Sequence, residues 1–143
     1  MRQKTKYISI AVIAIGAIFV VSGVSAWFAV SAQLSDENIN VSDDAGRFAG
    51  QQVTGPLTAY EQANVINKHA LAATEGKTYA ELDQDDPARQ TALTASFLRA
   101  SLYTSVVAFG VAAMAVGIGV SLLLVGWALR PGGEDSESVV AEG

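Results

Sequence analysis

The sequence predicts an all-α membrane protein: an antiparallel two-helix transmembrane hairpin with a small, mainly helical extracytoplasmic loop region. Three observations lead there. Tyr7 to Ser35 runs 29 positions without a charged residue, and Ala100 to Leu129 runs 30. A bilayer-spanning helix needs only about 20 apolar residues, so each stretch is long enough to cross. The segment between them, residues 33–99, holds ten acidic and five basic residues, a solvated composition.

The elements follow in chain order. Residues 1–6 form a basic N-terminus with Arg2, Lys4 and Lys6. Transmembrane helix 1 is expected over residues 7–32. Val30-Ser31-Ala32 resembles a signal-peptidase site, but an ordinary apolar signal core is about 7–15 residues. The 26 residues Tyr7–Ala32 exceed that length, so an uncleaved anchor is expected. The basic cluster before helix 1 and Arg130 after the second stretch orient the chain by the excess of positive charge on the cytoplasmic side. Both termini are then cytoplasmic and residues 33–99 lie outside, in a plasma (inner) membrane. Tyr7, Trp27, Phe28, Phe97, Tyr103 and Trp127 stand near the span edges, where amphipathic rings favour the headgroup level.

In the loop region, residues 36–57 mix Asn, Asp and Gly with Ile39, Val41, Phe48 and Val53, which reads as irregular or short extended structure. A helix is expected near residues 58–74. Thr58 followed by Glu61 fits a capping box, and Ala59, Ala63, Ile66 and Ala70 recur at helical spacing. Gly76 marks its end. Thr78 with Glu81 repeats the capping pattern over a short segment ending in Leu82. Asp86-Pro87 is a third start signal. From there one long helix is expected, from about Pro87 to Leu129, with residues 100–129 as transmembrane helix 2. Arg99 then sits at the water boundary, where it can snorkel to headgroups or pair with an acid. Arg130-Pro131-Gly132-Gly133 ends that helix, and residues 130–143 read as a disordered acidic cytoplasmic tail.

Lipid supplies no hydrophobic drive between helices, so close packing needs small residues. Gly16 and Gly23 in the first span, and Gly110, Ala113, Gly117 and Ser121 in the second, are the candidate packing positions. They would seat the hairpin against itself or against another subunit.

The composition excludes several chemistries. The chain has no cysteine, hence no disulfide or thiolate chemistry. A net charge of −5 and the absence of a long basic cluster argue against nucleic acid. Neither uncharged stretch contains the ionisable groups of a proton or ion path. The one histidine, His69, falls on the expected 58–74 helix, and Asp83, Asp85 and Asp86 lack the glycine and distal glutamate of an EF-hand. No catalytic, cofactor-binding or metal site is assigned.

From Gly55 onward several strings are distinctive: Gly55-Pro56-Leu57-Thr58-Ala59-Tyr60-Glu61, Ala63-Asn64-Val65-Ile66-Asn67-Lys68-His69-Ala70-Leu71, Gly76-Lys77-Thr78-Tyr79-Ala80-Glu81-Leu82, and Ala95-Ser96-Phe97-Leu98-Arg99-Ala100-Ser101-Leu102-Tyr103-Thr104-Ser105-Val106-Val107-Ala108-Phe109-Gly110. The chain resembles a family of small actinobacterial two-span membrane proteins commonly labelled aromatic ring-opening dioxygenase. The resemblance covers nearly the whole chain, the first span more loosely. It implies a bacterial membrane context. The label implies non-haem iron held by two histidines and a carboxylate.

The residues themselves point elsewhere. The expectation is a non-catalytic accessory or interaction subunit of a larger cell-envelope or respiratory membrane complex. Tyr60, Asn64, Asn67, Lys68 and His69 form the candidate partner surface. The alternative is a homo-oligomeric assembly, a passive pore or lipid-binding structure. The expected partners are the lipid bilayer and either another membrane protein or a second copy.

Overall fold

The computed structural model describes residues 2–130. The expected tail therefore lies, beyond Arg130, outside the described residues. Three α-helices and one short 3-10 turn make up the fold: α1 (Arg2–Asp36), α2 (Pro56–Ala73), the turn Tyr79–Glu81, and α3 (Arg89–Ala128). Among the described residues the only strand-like pairing is an isolated antiparallel bridge between Asn40 and Gln52. Both α1 and α3 are long and apolar enough to cross a membrane, and only 17% of the most apolar window of each is buried within the chain. A core helix of a soluble domain would bury far more of its apolar face.

The chain divides into two compact units, residues 1–23 with 114–143, and residues 24–113. In the first, α1 and α3 meet along glycine. A Cβ built on Gly16 would lie 2.8 Å from the Gly119 carbonyl oxygen, and one on Gly119 would lie 2.7 Å from the Gly16 oxygen. At Gly126 the same atom would meet Ile13 at 2.5 Å. Only glycine lets the backbones approach so closely. Ser9 is buried, and its hydroxyl donates to the Gly126 carbonyl at 2.6 Å. This satisfies a polar group that is costly to leave unpaired in apolar surroundings. Ser9 pairs with Gly126 and Gly16 with Gly119, so the helices run in opposite directions here. Ser9, Gly16 and Gly23 stand seven residues apart and are buried, as are Gly119 and Gly126, so one face of each helix is turned inward.

The second unit holds the larger core: Leu34, Val41, Val53, Ala59, Ala63, Leu102 and Phe109. Trp27 meets Phe109 edge-on with ring centroids 4.7 Å apart. Trp27 nonetheless stays 37% exposed, against 67–70% for Tyr7, Phe28, Phe97 and Trp127. The segment after α1 folds back on itself through Val41 N–H to Gln51 O, Gly50 N–H to Val41 O and Val53 N–H to Ile39 O. These bonds turn Val41 and Val53 into the core. Gln62 of α2 is buried and accepts from the Ser42 N–H at 3.0 Å, and the Ser31 hydroxyl of α1 donates to Thr54 O at 2.7 Å.

α2 begins earlier than Thr58. Pro56 occupies its first turn and Gly55 is the N-cap. Proline is preset for that position and has no N–H to satisfy. Thr58 is thus the third helical residue, and its hydroxyl oxygen accepts from the Gly55 N–H at 3.2 Å. The helix ends when the Gly76 N–H reaches back to Leu71 O at 2.7 Å while Glu75 takes φ 54°. This is a Schellman closure in which glutamate holds the left-handed position usually given to glycine. At the next turn the Glu81 carboxylate accepts from both the N–H and the hydroxyl of Thr78, each at 2.8 Å. Those bonds hold its pKa below the ordinary glutamate value. Asp86 accepts from the Ala88 N–H at 2.8 Å, and α3 starts at Arg89, two residues after Pro87.

Candidate functional site

The residues proposed as a partner surface lie on α2 but are spread over three different surroundings. Tyr60 is exposed and stands edge-on to Tyr103 of α3, centroids 6.0 Å apart. The Tyr103 hydroxyl donates to the Asn64 side-chain oxygen at 2.9 Å. Asn64 therefore fastens α2 to α3. Lys68 and His69 both reach Asp44 in the segment between α1 and α2, at 3.3 Å and 2.8 Å. The His69 hydrogen bond, followed by Lys68, holds the Asp44 carboxyl below the ordinary aspartate range. All three groups are solvent-exposed, so the cluster orders the loop more than it stabilises the fold. Asn67 faces neither group. It lines a cavity of about 40 Å³ with Lys77, Thr78, Ser96 and Arg99.

His69 also borders a broad, open groove of about 490 Å³, whose other walls include Ile66 and Ala73 of α2 and Thr91, Thr94 and Leu98 of α3. The groove is mainly apolar, with hydroxyls on one rim. One imidazole and one carboxylate do not make the two-histidine, one-carboxylate set that non-haem iron takes in a ring-opening dioxygenase. Among the described residues no group of three His, Cys, Asp or Glu side chains is placed to hold a metal ion. The iron implied by the resemblance does not fit this chain.

The candidate packing residues separate into two sets. In the first unit Gly16 and Gly23 are buried, while Gly117 and Ser121 are exposed. In the second unit Gly110 and Ala113 are exposed. A Cβ added at Gly110 or Gly117 would meet nothing within 4 Å. The α3 residues that do pack are one helical face away: Phe109, Ala112, Gly119 and Gly126. The spacing of seven shared by Gly119 and Gly126 was visible in the sequence, but Gly110 and Gly117 carry the same spacing in another phase. Nothing in the sequence separates the two phases, since a helical serine such as Ser9 can equally bond the carbonyl four residues back, as Ser35 and Ser121 do. Asp44 was not legible at all, since nothing local links it to a histidine 25 positions away.

Comparison of the chain with protein-family models, curated proteins and solved structures finds no match in any of the three.

Proposed function

We propose that the protein is a two-pass integral membrane protein that serves, without catalysis, as an accessory or interaction subunit of a larger cell-envelope or respiratory membrane complex. α1 and α3 form its transmembrane hairpin, with both termini cytoplasmic and residues 33–99 outside the plasma membrane. The observation that carries this reading is the large unpartnered apolar surface of both long helices, of which 17% of each apolar window is buried in the chain. Such surface is covered by lipid or by helices of other subunits, and it leaves room for the latter. The exposed end of α2 around Tyr60, together with Lys68 and His69, supplies polar contact outside the bilayer.

Mild-detergent purification of the tagged protein from native membranes tests the reading. A larger complex recovered in fixed stoichiometry, weakened by Tyr60→Ala or Lys68→Ala, is the expected result. Recovery of the chain alone would defeat it. The absence of cysteine makes topology directly measurable: single cysteines at Lys4 and Glu75 should react oppositely with a membrane-impermeant maleimide in intact cells.

A second reading is a homo-oligomeric assembly. The outward position of Gly110, Ala113, Gly117 and Ser121 on α3 favours it, because small residues permit helix contact and these are not used within the chain. Crosslinking between cysteines placed at Ala113 in two copies should then succeed in native membranes. Monomer alone would remove this alternative.

A further inference from the structure

We propose that Arg99, with Lys77 and Asn67, forms a binding site for a phosphate-class oxyanion, such as the phosphodiester of a lipid headgroup or inorganic phosphate. Arg99 is the last charged residue before 30 uncharged positions. It is half-buried, and its Nε is closed off from solvent with no hydrogen-bond partner. Buried guanidinium nitrogens are nearly always paired, so an orphan of this kind signals a missing acceptor. The chain does not supply one. Among the described residues the ion pairs are those of Asp44 with Lys68 and His69, and none involves Arg99. Its side-chain contact is with the Tyr103 ring, 5.9 Å from the guanidinium carbon to the centroid.

The cavity beside Arg99 narrows the chemistry. Of the polar groups on its wall, the Ser96 hydroxyl donates to Ala92 O and the Thr78 hydroxyl donates to Glu81. The Glu81 carboxylate is engaged by Thr78 and attracted by Lys77, which leaves it a poor substitute partner for Arg99. Arg99 Nε has no acceptor within the chain, and the solvent-exposed Lys77 and half-buried Asn67 line the same cavity. Arg99, Lys77 and Asn67 around a space of about 40 Å³ suit a compact group carrying several acceptor oxygens. A tetrahedral phosphate offers several acceptor oxygens, one or two of which can face the Arg99 fork. The site itself stands on this geometry. A bilayer source for the phosphate rests on the two-pass reading, which puts Arg99 at headgroup depth.

The test uses the full chain purified in a neutral maltoside detergent, with thermal unfolding and native mass spectrometry as readouts. Phosphatidylglycerol, phosphatidylcholine and inorganic phosphate are the probes. Arg99→Gln should weaken phosphatidylglycerol or phosphate binding by about tenfold or more, as expected for loss of a charge-assisted pair. Arg99→Lys keeps the charge but loses the fork, and should fall between. Arg47→Gln, an exposed cation elsewhere, should bind as the parent does. Competition by inorganic phosphate at equal affinity would identify a free-ion site, and preference for the lipids a headgroup site; both uphold the assignment. Equal binding by the Arg99→Gln and Arg47→Gln chains, or no saturable binding of any probe, would overturn it. Carbonate extraction of the same variants reports separately on membrane integration. An integrated chain that binds none of the probes sinks the anion site and leaves the two-pass reading standing.

Discussion

Gly16 and Gly119 are in backbone contact: a methyl group on either would lie closer than van der Waals contact to the other's carbonyl oxygen, at 2.8 Å and 2.7 Å. With the close approach at Gly126, this contact fixes the face that α3 turns inward.

Gly119→Ala and Gly117→Ala should therefore differ in sign. Both substitutions gain intrinsic helix propensity, up to about 1 kcal/mol. At Gly119 the added methyl meets backbone atoms of Gly16 and Val20, and overpacking of that kind costs about 1–3 kcal/mol. At Gly117 it meets open space. Chemical denaturation of the two variants in the same detergent should show Gly119→Ala destabilised and Gly117→Ala neutral or slightly stabilised. Equal stability would mean that the helices are not seated on this face.

Phe109 is buried to 1% exposure and packs on Trp27. Phe109→Ala should lower stability by about 2 kcal/mol. That is less than the roughly 3–5 kcal/mol of a soluble core, since lipid is itself apolar and mainly packing is lost. Intrinsic fluorescence checks it in a Trp127→Phe background, where Trp27 alone reports. Its emission should shift when the Phe109 ring is removed.

Tyr103→Phe removes the hydroxyl that Asn64 accepts and leaves the ring contact with Tyr60 in place. The expected loss is about 0.5–1.5 kcal/mol. Combining it with Asn64→Ala should cost little beyond the larger single effect, because the two groups share one hydrogen bond. Additive losses in a double-mutant cycle would show that they do not.

Asp44 responds to acid in a defined direction. Its folded pKa is lowered by His69 and then Lys68, so its contribution is present above the unfolded aspartate value and is lost as pH falls through the folded one. Amide exchange at Val41 and Val53 should therefore quicken as pH drops below about 4, after correction for intrinsic rates. Asp44→Asn should abolish that step. For exposed pairs of this kind the change in Tm should stay within ~2 °C.

Much of the architecture was legible because it rests on local signals. The uncharged stretches, the Thr78–Glu81 box and the Asp86-Pro87 start each act within a few residues, and the structure places helices or turns there. Thr58 was misread as a cap because its pairing with Glu61 resembles one, while Pro56 two residues earlier sets the start. The contacts that organise the candidate site are of another kind. Asn64 with Tyr103 and Asp44 with His69 join residues 39 and 25 positions apart, and no periodicity encodes them. The choice between the two glycine phases of α3 likewise depends on α1, not on α3 itself.

The Ser9 hydroxyl and its acceptor on Gly126 lie 117 residues apart, close to the two ends of the described chain. At the usual pace of bacterial and eukaryotic ribosomes, about 5–20 residues per second, roughly 6–23 s separate their synthesis. During that interval α1 must persist without the partner that its glycine face is shaped to receive. Its 35 residues have to remain helical on their own backbone hydrogen bonds, with one hydroxyl still unclaimed. The last turns of α3 thus close the seam, and a nascent chain released before Gly119 would leave the glycine face of α1 without its partner.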